Sequence, residues 1–129
     1  MISSRFVRNI MDYLFEDLPE LDIPIAKQQL NCLTDIFYEY TGCGLFVDFD
    51  YCPDIHRYQL PYKSLIVGDL TIESPDLEHG ATAMICISNG LVSYLEIWAH
   101  SGYYPIVEPA NYELVKGRPV NIIHMTLSK

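Results

Sequence analysis

The sequence predicts an α+β fold, with two N-terminal helices packed on one face of a mostly antiparallel twisted sheet built around an 81–100 hairpin. Three observations predict it. Apolar residues recur with helical spacing from Phe6 to Leu18, the period becomes strand-like from Cys43 onward, and Asn89-Gly90 separates two apolar, β-prone runs. Helices first and hairpin-linked strands afterwards indicate segregated layers, not alternating βαβ units. At 129 residues the chain reads as a single domain, 1–129, large enough to bury its own core.

Ser3 or Ser4 can cap the first helix. Phe6, Val7, Ile10, Met11, Leu14, Phe15 and Leu18 then follow the i, i+3, i+4, i+7 template, and Pro19 ends it. The opposite side is polar, with an acidic second half that does not suit a membrane-surface helix. A second helix is expected from Asp22, an N-cap candidate, with Pro24 in its first turn. Ile25, Cys32, Leu33, Ile36, Phe37 and Tyr40 would form its apolar face, and Gly42 its end.

Leu45–Asp50 reads as a strand, and Tyr51–Pro61, with two prolines, as a loop or irregular edge. Ser64–Ser74 is β-rich, with Gly68-Asp69 either a tight turn or a bulge in one longer strand. Ser74–Gly80 is a polar connection. Asn111–Lys116 and Val120–Leu127 are the last strand candidates, with Gly117 to Pro119 a break between them.

Asn-Gly is the pair that best tolerates the two positive φ angles of a type I′ hairpin turn. A two-residue loop at Asn89-Gly90 would pair Ser88 with Leu91, Cys86 with Ser93, Met84 with Leu95 and Thr82 with Ile97 on one face. The other face would pair Ile87 with Val92, Ile85 with Tyr94, Ala83 with Glu96 and Ala81 with Trp98. The Met84/Leu95/Ile97 face suits packing under the helices. The face with Tyr94, Glu96 and Trp98 reads either as a second packed layer or as an exposed aromatic and acidic patch for a partner.

Seventeen carboxylates against eight Lys and Arg leave a net charge of −9. Such a field repels nucleic acid and favours a basic partner reached by electrostatic steering. The N-terminus lacks the apolar core of a signal peptide, and no apolar run reaches the roughly 18–20 residues of a membrane span. A soluble, cytoplasmic protein is expected. Cys32, Cys43, Cys52 and Cys86 have no CxxC spacing and are expected as reduced thiols.

No chemistry is spelled out. His56, His79, His100 and His124 lack metal-ligand spacing, and GxSxG, P-loop and GxGxxG patterns are missing. Gly42-Cys43-Gly44 reads as a helix end and turn rather than an exposed nucleophile. Asp48 and Asp50 share one strand face, but no third ligand or phosphate loop accompanies them. The expectation is a non-enzymatic protein with no metal and no cofactor.

One stretch carries a resemblance. A strand entering a turn that ends in Gly, then Leu95-Glu96-Ile97 and a Gly102–Pro105 tail, with Gly90-Leu91 opening the second strand, resembles a pattern in bacterial immunity proteins. These belong to polymorphic-toxin systems, including contact-dependent growth inhibition. The resemblance implies a stoichiometric antitoxin-like inhibitor that binds and neutralises a cognate toxin domain, often a basic nuclease, with no direct nucleic-acid or membrane contact. Immunity proteins use different surfaces, so contacts are chosen by residue type. Asp48, Asp50, Asp54, Glu73, Asp76 and Glu78 would supply charge; Tyr94, Trp98, Tyr103 and Tyr104 would be anchors. Monomer and homodimer both remain open, the latter through the aromatic hairpin face. The alternative function is a small-molecule-binding or enzymatic α+β domain with a tyrosine-lined pocket, which ten tyrosines allow.

Overall fold

A computed structural model of the chain describes residues 1–116 and the strand 122–127. Helix α1 (Arg5–Phe15) is capped by Ser4, whose hydroxyl accepts from the Val7 N–H at 3.0 Å. Its buried face is Phe6, Val7, Ile10, Met11, Leu14 and Phe15, the stripe expected from the spacing. Helix α2 (Ile23–Leu30) has Asp22 at its N-cap and a proline in its first turn. The Asp22 carboxylate does not cap; it accepts from the buried Tyr62 hydroxyl. Burial and that bond push Tyr62 up to about 12.

The second helix is shorter than its expected span to Gly42. It stops at Leu30, and Leu33–Tyr40 form strand β1. The sequence LTDIFYEY, rich in β-branched and aromatic residues, follows strand preference once a partner strand is available. That partner is β2 (Gly44–Tyr51), reached by the tight turn at Thr41–Cys43. Gly42 therefore belongs to a hairpin turn, not a helix end, and Ile36 and Phe37 lie 61% and 52% exposed instead of buried.

A short 3₁₀ helix (Pro53–Tyr58) follows, burying Ile55. Then come β3 (Tyr62–Ser74), β4 (Leu77–Ser88), β5 (Leu91–Ala99), β6 (Glu113–Lys116) and β7 (Ile122–Leu127). Gly68-Asp69 is the bulge alternative: β3 runs through it, with a register shift between Val67 and Leu70 and Asp69 at φ 71°. The expected polar connection at Ser74–Gly80 is instead a two-residue turn, Pro75-Asp76, and β4 already begins at Leu77. The Gly117–Pro119 break and residues 120–121 of the last expected strand lie outside the described residues, as does the His124 side chain.

The sheet order is β1-β2-β5-β4-β3-β6, with β7 also pairing β3. All described pairings are antiparallel. The expected class, helices against an antiparallel sheet, is the observed one. Helix α1 lies against β3 and β4, and α2 against α1 and the 3₁₀ helix. Between the layers, Leu65, Val67, Ile72, Ile85, Ile87, Leu95 and Ile97 meet Val7, Ile10, Met11, Leu14 and Phe15 in one core.

The central hairpin departs from the expected register. Ser88 pairs with Leu91 and Ile87 with Val92, as a two-residue turn requires, and Asn89 and Gly90 have φ of 52° and 80°. Beyond them Cys86 pairs with Tyr94, Ile85 with Leu95, Met84 with Glu96, Ala83 with Ile97 and Thr82 with Trp98. Ser93 is therefore an extra residue, a bulge that shifts every later pair by one. Side chains from distant elements hold it. The Val92 N–H donates to Gln29 Oε1 (3.1 Å), and the Val92 carbonyl accepts from the Tyr51 hydroxyl (2.6 Å). Gln29 is fully buried and uses its amide nitrogen on the carbonyls of Tyr58 (2.7 Å) and Gly90 (2.8 Å), tying α2, the 3₁₀ helix and the hairpin turn together.

The N-terminus is tied to the edge strand. The Ser3 N–H and hydroxyl and the Tyr38 hydroxyl all donate to Asp35, and the Met1 ammonium donates to Thr34 Oγ1 at 3.0 Å. Burial alone would raise the Asp35 carboxyl; these hydrogen bonds outweigh it and hold it below the usual carboxylate value.

Candidate functional site

The bulge decides what the outer face of the sheet presents. By alternation from the buried residues, that face carries Phe37 and Glu39 on β1, Phe46, Asp48 and Asp50 on β2, and Tyr94, Glu96 and Trp98 on β5. From β4 and β3 it receives Thr82, Met84, Cys86 and Ile66. Without the bulge Tyr94 and Glu96 would share the face of Ile85 and Ala83, as the simple hairpin register expects. With it, Met84 stands across from Glu96 on the outer face and Ile85 takes the core position opposite Leu95.

Two cross-strand rows organise this surface. One runs Glu39, Phe46, Glu96, Met84; the next runs Phe37, Asp48, Tyr94, Cys86, Ile66. Phe46 and Tyr94 lie diagonally, ring centroids 5.8 Å apart and tilted by 59°. In the neighbouring row, Gly44 pairs with Trp98; a Cβ on Gly44 would come within 2.2 Å of the Ile97 carbonyl oxygen, so only glycine fits there.

The electrostatics of this face have one sign. Strands β1, β2 and β5 contain no Lys or Arg, and their outward charges are Glu39, Asp48, Asp50 and Glu96. Glu96 is flanked by Tyr94 and Trp98 along the strand and by Phe46 and Met84 across it. Burial pushes its carboxyl up. Among the described residues it has no hydrogen-bond donor or cationic partner. Tyr94 is likewise pushed up, by burial first and then by Cys86 and Glu96.

The expected contact residues divide into separate groups. Asp48, Asp50, Tyr94 and Trp98 share the outer face. Asp54 lies on the 3₁₀ helix, 4.0 Å from Arg57. Glu73, Asp76 and Glu78 cluster around the β3–β4 turn, at the opposite end of the strands from Asp50. Tyr103 is exposed in the loop after β5. Tyr104 is a correction: at 2% exposure it is a core residue, stacked on Tyr40 at 6.3 Å, and presents nothing to a partner. Sequence reasoning did not select Phe46, Met84, Phe37 or Glu39. Alternation along β2 carried the signal for Phe46; the other three depended on the bulge and on β1 being a strand.

Two surface depressions, of about 340 and 270 Å³, lie near the β3–β4 turn and the 105–113 loop. Tyr112 is the one tyrosine lining the first, and the second has none. Among the described residues no three His, Cys, Asp or Glu side chains gather in a way that could hold a metal ion. No described helix is long and apolar enough to cross a membrane. No protein-family model, no curated protein and no solved structure matches this chain.

Proposed function

We propose that this chain is a stoichiometric protein inhibitor, an immunity protein that neutralises a basic toxin domain of nuclease type by covering it with the outer sheet face. It acts in the cytoplasm, without cofactor and without enzymatic activity of its own. The observation that carries the reading is Glu96. It is a carboxylate held among Tyr94, Trp98, Phe46 and Met84, raised by burial and given no cationic partner within the described fold. A Lys or Arg from a partner would complete it, and the surrounding rings would pack that cation's stem. Asp48, Asp50 and Glu39 supply the steering field around it. The resemblance of the Gly90-Leu91 and Leu95-Glu96 strand to immunity proteins supports the same class.

The test is a pull-down against the toxin domain encoded beside this gene, at low and high salt, with a growth-protection assay. Binding is expected to be one-to-one and to weaken with salt. Glu96→Lys combined with Asp48→Lys should abolish protection, and Trp98→Ala should weaken binding at least about 30-fold, as a central anchor does. Absence of binding at low salt sinks the proposal. Self-association through the outer face, seen by light scattering and lost in Trp98→Ala, would replace the toxin with a second copy of this chain.

A further inference from the structure

Of the four cysteines, two are brought together by the β1–β2 hairpin. Leu33 pairs with Tyr51, so Cys32 and Cys52 occupy the next rung, and the Cys52 N–H donates to the Cys32 carbonyl at 2.9 Å. Opposed residues of an antiparallel pair project to the same side, with Cα atoms about 4.5–5.5 Å apart. That lies inside the range a disulfide spans without moving the backbone. Cys32 is anchored from its other side, its N–H donating to Gln29 O at 2.9 Å at the end of α2. The neighbouring Cys52 and burial together push the Cys32 thiol up to about 11. Cys43, in the turn at the far end of the hairpin, and Cys86, on β4, are remote from this rung.

We propose that Cys32 and Cys52 form a thiol–disulfide exchange site, closed by a small-molecule disulfide such as oxidised glutathione into an intramolecular bridge. Cys52 is exposed and reacts first; Cys32 is 8% exposed and resolves. The Cys52 thiolate attacks one sulfur of the external disulfide, forming a mixed disulfide and expelling one thiolate. Cys32 then gives up its proton and attacks Cys52 Sγ, expelling the second thiolate. Two protein thiols are oxidised, one external disulfide is reduced to two thiols, and the two leaving thiolates take up the protons. The bridge fastens the first rung of edge strand β1 to the end of β2 and the start of the 3₁₀ helix. It uses none of the residues assigned to the toxin contact and is independent of the inhibitor reading.

The test equilibrates the folded full-length chain with reduced or oxidised glutathione, then reads intact mass, peptide maps and melting. Oxidised glutathione should lower the mass by about 2 Da, yield a Cys32–Cys52 peptide, and raise Tm by about 5–10 °C. The Cys43→Ser, Cys86→Ser double variant should behave identically. The exposed Cys52→Ser variant should keep its fold and lose both the bridge and the Tm rise. Three outcomes overturn the assignment: both thiols still alkylatable after equilibration, a bridge to Cys43 or Cys86, or a glutathione adduct on Cys52 that Cys32 never resolves.

Discussion

The two faces of the sheet use the same strands for opposite ends. On the inner face, Ile85, Ile87, Leu95 and Ile97 are closed off in the common core and contribute stability. On the outer face, their immediate neighbours Met84, Cys86, Glu96 and Trp98 are only half covered, and one of them is a carboxylate that burial disfavours. The inner face satisfies itself; the outer face holds Glu96 with no cationic partner among the described residues. A protein selected for stability alone would have no reason to keep Glu96 there.

Truncation should separate the faces most clearly. Leu95→Ala is expected to cost about 2–5 kcal/mol in chemical denaturation, the range for a sealed core site. Trp98→Ala, next door but outside, should cost no more than about 1–2 kcal/mol. Equal losses would show that the outer face is core in all but position.

Gln29→Leu comes next. It leaves the Tyr58 carbonyl and the Val92 N–H without their partner and the Gly90 carbonyl with the Leu60 N–H alone (3.0 Å), and should cost about 2–3 kcal/mol. Hydrogen exchange at Val92 should rise with it. Gly44→Ala forces a Cβ against the Ile97 carbonyl and should destabilise by about 1–3 kcal/mol, loosening the β2–β5 seam beneath the outer face.

Protonation distinguishes the faces more finely, because Asp35 and Glu96 are shifted in opposite directions. Asp35 is lowered in the folded state, so its contribution is present above the unfolded value of about 3.9 and disappears as pH falls through its folded value. Asp35→Asn should flatten the acid limb of a stability–pH curve. Glu96 is raised, so its ionisation works against folding: the fold is favoured below about pH 4.3, and that advantage fades as pH rises through the folded value. Glu96→Gln should therefore leave stability at pH 7 equal or higher while weakening partner binding. A stability loss at pH 7 would mean that Glu96 serves the fold.

The layer arrangement was legible because it rests on local patterns: the α1 stripe, the Asn89-Gly90 turn, and the buried Val47 and Phe49 alternating with the exposed Asp48 and Asp50. What was not legible depends on distant partners. Cys32 to Tyr40 fits a helical face as well as a strand, and only pairing with β2 decides. Ser93 looks like an ordinary strand residue, because Gln29 and Tyr51, which hold the bulge beside it, are far away in sequence. Of the candidate site, Asp48, Asp50, Tyr94 and Trp98 were readable as strand residues. Tyr104 was misjudged because it is buried and stacks on Tyr40, on a strand that the sequence presented as helix.

The bulge also gives β5 slack. A chain lacking Ser93 closes the same hairpin in the same phase, with Tyr94 still across from Cys86 and each later side chain on its own side of the sheet. With the bulge where it is, losing a residue at Glu96 would reverse the strand beyond it, turning Ile97 outward and Trp98 inward. Length variation is thus absorbed at one place in this strand. Homologous chains that present the same outer face can differ by one residue at Ser93, and an alignment that forbids a gap there would pair inward residues with outward ones.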